Sequence, residues 1–357
     1  MPAAFALPTA GRPDTINGAG TATEGNMATQ PKLNRPRLVA VWPGMGHVGV
    51  NAGIYLLSKL EMTLFTEFDS TALFDLDAVE VKDGLIRSAR RPRNRLYLWA
   101  DPAGKGDLLV FLGEAQPPAG KQAFCRELVG YARGLGVDRV YTFAAMATPM
   151  HPEHPSRVFV AATDQAVLDE LKPLPVKVLD EGQIGGLNGV LLGVAAEEGL
   201  SGACFLGEMP QIFAQLPFPK GSQAVLEVFA TLTGLTLDMA ELNQQAEAVE
   251  EQLGELLERV QEQVKEQLRG RDEGDEEGEE AEAEGEAEEP PAAAPPKRVG
   301  PDAETVRRVE DLFAQATADR SKAFELKREL DRLGLFAQYE DRFLDLFRKP
   351  GEGKGVG

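Results

Sequence analysis

Between residues 35 and 269 short apolar runs alternate with amphipathic stretches. The runs 37–42, 63–68, 95–99, 107–113, 139–144, 157–161, 176–179 and 202–207 have the length and composition of β-strands. Apolar residues spaced three and four apart predict helices over 48–60, 121–135, 165–172, 187–198 and 222–232. Two strands, LLVFLG and ACFLG, are apolar at every position, a pattern that calls for burial on both faces. The predicted fold is therefore α/β, a mainly parallel sheet flanked by helices. Residues 73–106 alternate less cleanly and carry many charges, which predicts a hairpin-like excursion.

One long helix is expected over 236–269, with Asp238 placed to cap its start. Leu242, Ala246, Val249, Leu253, Leu256 and Val260 step by fours and threes and form an a/d stripe over nearly three heptads. Such a stripe either packs on its own sheet or pairs with another chain, and Leu242, Val249, Leu253, Leu256 and Val260 are the expected oligomer or partner contacts. Further on, Val306, Val309, Leu312, Phe313 and Ala316 form one helical stripe. Phe324, Leu326, Leu330 and Leu333 form a second, and Phe336, Tyr339, Phe343, Leu344 and Phe347 a third. This predicts a small all-α appendage over 301–349 that can dock on the body, dimerise or recognise a partner. The expected division is a disordered lead over 1–34, an α/β core over 35–235, the long helix over 236–269, an acidic Pro/Ala linker over 270–300, the helical module over 301–349 and a disordered tail over 350–357.

Charge sharpens this division. The chain of 357 residues has a formal net charge of −20, and residues 272–289 alone hold twelve acids and no base. Like charges repel and prolines stiffen, so this tract reads as a solvated coiled-coil-to-module linker. Nucleic acid is not an expected partner, because phosphate binding needs clustered Lys and Arg. No apolar run is long enough to span a membrane, and the N-terminus lacks a basic start, so a cytoplasmic protein is expected. The two cysteines, Cys125 and Cys204, lie in apolar surroundings outside any C-x-x-C motif and read as core. His151 and His154 are spaced i, i+3, but Pro149, Pro152 and Pro155 make their segment a loop, and no metal site is expected.

Two glycine-rich turns carry the candidate chemistry. GMGHVG at 44–49 follows a strand and opens a helix, matching the dinucleotide-binding fingerprint, and Glu67 and Asp69 fall near the position of a ribose partner. GQIGGLNG at 182–189 opens a second apolar helix. Glycine at such places serves either a ligand or a close strand–helix junction. Two carboxylates, Glu114 and Glu208, end apolar strands, where open α/β sheets place ligands. The candidate crevice is thus Gly44, Gly46, His47, Gly49, Glu114, Gly185, Gly186, Asn188 and Glu208. It is suited to a small anionic ligand, phosphorylated or carboxylated, with His47 as a donor and the acids as an acid–base pair. Against a catalytic role, each acid can instead bind backbone N–H groups of the following turn. No Ser–His–Asp or Cys–His set is present.

The order of segments GMGHVGVNAGIYLL, VFLGEAQPP, YARGLGVDRVYTFAAMAT, RVFVAAT, GQIGGLNGVLLGVAAEEGLSGACFLGE and TLTGLTLDMAELNQQAEAVEEQL resembles the proteasome assembly chaperone family, over about residues 35–265. The resemblance implies a core akin to nucleoside phosphorylases and peptidyl hydrolases. It also implies protein partners, self-association through the helix after the core, and a non-enzymatic role. In that family the first glycine turn belongs to the core, so no cofactor, NAD included, is expected. Some archaeal relatives carry a C-terminal hydrophobic–Tyr–X tail; this chain ends EGKGVG, and docking through such a tail is not expected.

Overall fold

The structure is a computed structural model that describes residues 32–69, 73–74, 79–82, 84–272 and 302–348. The expected N-terminal lead, acidic linker and tail lie outside the described residues, apart from the ends of the flanking elements. An eight-stranded sheet has the order β2-β5-β6-β1-β7-β10-β8-β9. Its strands are β1 (Arg37–Val41), β2 (Thr63–Phe68), β5 (Asn94–Trp99), β6 (Leu108–Gly113), β7 (Arg139–Thr148), β8 (Val158–Ala162), β9 (Val176–Val178) and β10 (Gly202–Pro210). The central four, β6-β1-β7-β10, are parallel, while β2 and β5 on one side and β8 on the other pair antiparallel. The excursion at 73–106 contains the hairpin β3 (Val79–Lys82) and β4 (Leu85–Ser88), which forms a separate two-stranded sheet.

Alternation along the buried strands sorts side chains into two apolar layers. Leu38, Ala40 and Trp42 face α2 (Lys121–Gly134) and α4 (Gly186–Glu197), together with Cys125 and Cys204. Val39 and Val41 face α1 (Val48–Lys59), α5 (Pro219–Thr233) and the start of α6 (Ala240–Asp272). The short α3 (Gln165–Leu171) is capped by the Asp164 carboxylate, which accepts from Val167 N–H at 3.0 Å. Burial pushes the Cys125 and Cys204 thiols up to about 12, as expected of inert core cysteines.

The C-terminal residues fold as α7 (Ala303–Ala318), α8 (Ala323–Arg332) and α9 (Phe336–Asp345). Their apolar side joins the same layer as α1: Val309, Phe313, Phe324, Leu326, Leu330, Phe343 and Phe347 are all buried there. Of the roles open to this appendage, docking on the body is the one observed. Tyr55 of α1 meets Phe324 edge-on at 4.6 Å, and Tyr97 of β5 meets Phe347 at 6.1 Å. The outer edge of β2 is covered as well, because Leu64 N–H donates to Phe347 O at 2.7 Å.

The expected stripe on α6 divides in two. Leu242, Ala246 and Leu253 are buried in the chain's own core and Val249 is half-buried against it. Leu256 and Val260 continue the stripe but stay 38% and 47% exposed. The proximal residues are thus used up within the chain, and only the distal part remains open to a partner.

Candidate functional site

The two glycine turns face each other across the C-terminal ends of β1 and β7. In the first, Gly46 has φ +59°, and a Cβ there would lie 2.6 Å from Met209 Sδ. A Cβ on Gly49 would lie 2.2 Å from Phe143 O, so only glycine lets α1 approach β7 this closely. Gly44 is different: its backbone is extended, and a Cβ would meet nothing within 4 Å. The fingerprint therefore serves layering at two positions and borders open space at the third. Gly46 N–H donates to Ala214 O at 2.9 Å and Phe218 N–H to Gly46 O at 2.8 Å, which stitches this turn to the 211–218 loop.

In the second turn Gly186 has φ +67°, Gly185 borders open space, and a Cβ on Gly189 would fall 1.8 Å from Ile184 O. Gln116 joins the two turns. Its Oε1 accepts from Leu187 N–H at 3.0 Å and its Nε2 donates to Pro43 O at 3.2 Å. Gln116 was missed at the sequence level; the only signal was its place two residues after Glu114, at a strand end. Gly44, Gly49, Gln116, Gly185, Gly186 and Asn188 line a cavity of about 540 Å³.

Glu114, Glu208 and His47 do not line that cavity. Glu208 is buried and faces a separate hollow beside Met150 and His154. Its carboxylate accepts from Thr148 Oγ1 at 2.7 Å and from Arg157 Nε at 2.5 Å. Burial works to raise its pKa, and the Arg157 and Thr148 hydrogen bonds outweigh it and hold the group below its ordinary range. Glu114 accepts from the fully buried Arg95 at 2.5 Å, from Arg90 at 2.6 Å and from Arg93 N–H at 2.9 Å. The acid–base pairing that the sequence left open to Glu114 and Glu208 is not formed: Glu114 is committed to Arg90 and Arg95 and Glu208 to Arg157, in different parts of the molecule.

His47 sits at φ 51°, a left-handed conformation uncommon outside glycine, within reach of the charges of Lys327 and Asp331 on α8. It keeps an exposed edge, yet crowding by the surrounding protein and the nearby Lys327 ammonium lower its pKa. Lys327 is itself buried, donating to Asn51 Oδ1 at 2.8 Å and to Asp331 Oδ2 at 2.5 Å, with its ammonium 4.6 Å from the Phe336 ring centroid. On the far side of the module Asp341 accepts from Arg95 at 2.6 Å, Arg90 at 2.8 Å and Arg93 at 3.1 Å. The same arginine cluster that holds Glu114 therefore also holds α9. His151 and His154 lie in a loop with their rings 5.7 Å apart, and no group of three or more metal-ligating side chains occurs among the described residues.

Met45, Ile212 and Leu216 are all exposed, Ile212 by 61%, on two segments that the backbone hydrogen bonds of Gly46 to Ala214 and Phe218 hold together. Among the described residues no helix is long and apolar enough to cross a membrane.

Residues 38–257, more than half of the chain, match the model of the PAC2 family. The chain belongs to the PAC2 family. An uncharacterised protein of Methanocaldococcus jannaschii is 30% identical over 226 residues, spanning 61% of this chain and 82% of the relative. Among solved structures, Pyrococcus furiosus PbaB, an archaeal proteasome activator, aligns with 25% identity and a TM-score of 0.53 over 65% of this chain and 95% of its own. Pyrococcus furiosus PbaA, an archaeal homolog of proteasome-assembly chaperone, aligns with 26% identity and a TM-score of 0.51 over 69% of this chain and 97% of its own. The PAC2 match stops before α7, so the docked helical module lies outside the family region.

Proposed function

We propose that this PAC2 protein is a non-enzymatic, self-associating scaffold that binds other proteins in the manner of an assembly chaperone. The observation that carries the reading is the distal stripe of α6. Leu256 and Val260 extend a buried apolar seam beyond the body and leave it uncovered. A helix face of this kind loses free energy to water until another helix covers it. Met45, Ile212 and Leu216 add further exposed apolar side chains. The kinship with an archaeal proteasome activator and with a proteasome-assembly chaperone homolog supports protein partners as the ligand class. The locked state of Glu114 and Glu208 supports the absence of acid–base chemistry.

The test is affinity capture from native lysate with the full chain as bait, beside a Leu256→Glu/Val260→Glu double variant. Both substitutions are at exposed positions, so folding is preserved. The reading predicts a reproducible set of proteins that is lost or depleted on the variant. Identical captures by both baits, or none by either, would count against it.

A further inference from the structure

A cluster of charges joins the helical module to the end of the sheet. Four arginines, Arg90, Arg93, Arg95 and Arg348, meet the carboxylates of Glu67, Glu114 and Asp341. Glu67 lies on β2, Glu114 just beyond β6 and Asp341 on α9, so the cluster bridges body and module. Glu67 accepts from Arg93, from Arg95 Nε at 3.2 Å and from Arg348 at 3.3 Å. Among the described residues, every side-chain hydrogen bond that Arg90, Arg93 and Arg95 donate ends on these three acids.

A fourth carboxylate sits at the same seam without such a partner. Glu340 is partly buried on α9, beside Asp341 in sequence and near Glu114, Arg90 and Arg95. Among the described residues it makes no hydrogen bond or ion pair. An ionised Glu340 therefore adds a negative charge beside two carboxylates whose arginines are already engaged, and a protonated one adds none. Burial first, then Glu114 and Asp341, push its carboxyl up to about 7 against the pull of Arg90 and Arg95.

The module is built to move as one piece. It is made of consecutive residues and lies beyond the PAC2 match. Inside it Phe313 meets Tyr339 at 5.7 Å, Phe336 meets Phe343 at 5.5 Å, and Arg342 pairs with Glu310 at 2.6 Å. These contacts do not involve the body and survive its departure. Cooperative units of this kind open below the free energy of global unfolding.

We propose that the seam is a proton-operated latch: with Glu340 protonated the module stays seated, and with Glu340 ionised it opens more often as a unit. Opening uncovers Tyr55, which Phe324 covers, and the Leu64 N–H of the β2 edge, which Phe347 O caps. A carboxyl whose folded value lies above its unfolded value near 4.5 supports docking at low pH and loses that support as pH rises toward 7. At the α8 end of the seam His47 stands near Lys327 and Asp331 and gains charge only at more acid pH. The latch stands or falls independently of the scaffold reading.

Hydrogen–deuterium exchange of the full chain, beside Glu340→Gln, tests this, with rates divided by those of the unfolded chain at the same pH. The variant keeps His47, so the difference between the two chains isolates Glu340. Protection of residues 303–348 should be lower than that of β1, β7 and β10 at every pH. In the wild type it should fall several-fold, up to about tenfold, from pH 6 to pH 8. In Glu340→Gln the fall should shrink to about twofold or less. Module protection equal to that of the central strands, no fall in the wild type, or the same fall in Glu340→Gln would overturn the proposal.

Discussion

Gly44 and Gly49 belong to one motif and do opposite things. Gly49 is pressed against Phe143 O, so Gly49→Ala must push α1 off β7 and should destabilise the chain by about 1–3 kcal/mol or more. Gly44 has extended backbone and empty surroundings, so Gly44→Ala should leave stability within about 1 kcal/mol, with a small gain from reduced freedom of the unfolded chain. Urea denaturation of the two variants checks both; equal losses would contradict the account. The motif was legible in sequence, but the division of labour within it was not. Spacing shows where glycines fall, whereas the backbone oxygen that excludes a side chain comes from a strand almost a hundred residues away. The carboxylates teach the same lesson. Glu114 and Glu208 were recognisable as strand-end acids, but their partners Arg95 and Arg157 could not be read from spacing, because sheet order decides which side chains meet.

At the scale of elements, local pattern was a good guide. Period-two and period-3.6 runs located the strands and helices that build the sheet and its two layers, because both faces of the central strands are buried. What periodicity does not show is which body covers a helix. The six residues of the α6 stripe look equivalent in sequence, yet three are buried within the chain and two face solvent. The appendage likewise gave its apolar stripes but not its docking site, which depends on Lys327 reaching Asn51 and Asp341 reaching the arginine cluster. That docking has a pH signature. Burial, reinforced by the Glu114 carboxylate and by Asp341, pushes Glu340 of α9 up to about 7, although Arg90 and Arg95 oppose the shift. A raised carboxyl pKa favours the folded state only while the group is protonated. The Glu340 penalty is therefore absent below the unfolded value near 4.5, grows as pH rises toward 7, and is constant above. Glu340→Gln should stabilise the chain by about 1–2 kcal/mol at pH 8, after allowance for solvent screening, and by little at pH 4. Denaturation midpoints of wild type and variant across that range test this. A gap that stays the same from pH 4 to pH 8 would refute the role given to Glu340.

For the whole molecule, a PAC2 core carries three features that act at different surfaces. The helical module closes the α1 face and the β2 edge, so that face is already satisfied by the chain itself. The cavity over β1 and β7 is lined by neutral side chains. The distal α6 stripe and the side chains of Met45, Ile212 and Leu216 remain uncovered. A net charge of −20 keeps copies apart by repulsion at low salt, so association through apolar stripes should strengthen as salt screens that repulsion. The most direct measurement of the scaffold reading is the mass of the full chain in solution by light scattering at moderate salt, beside the Leu256→Glu/Val260→Glu variant. The account predicts a multiple of the 38.6 kDa chain mass for the wild type and a smaller assembly for the variant. A wild-type chain that stays at 38.6 kDa across concentrations, or an assembly untouched by the two substitutions, would contradict it.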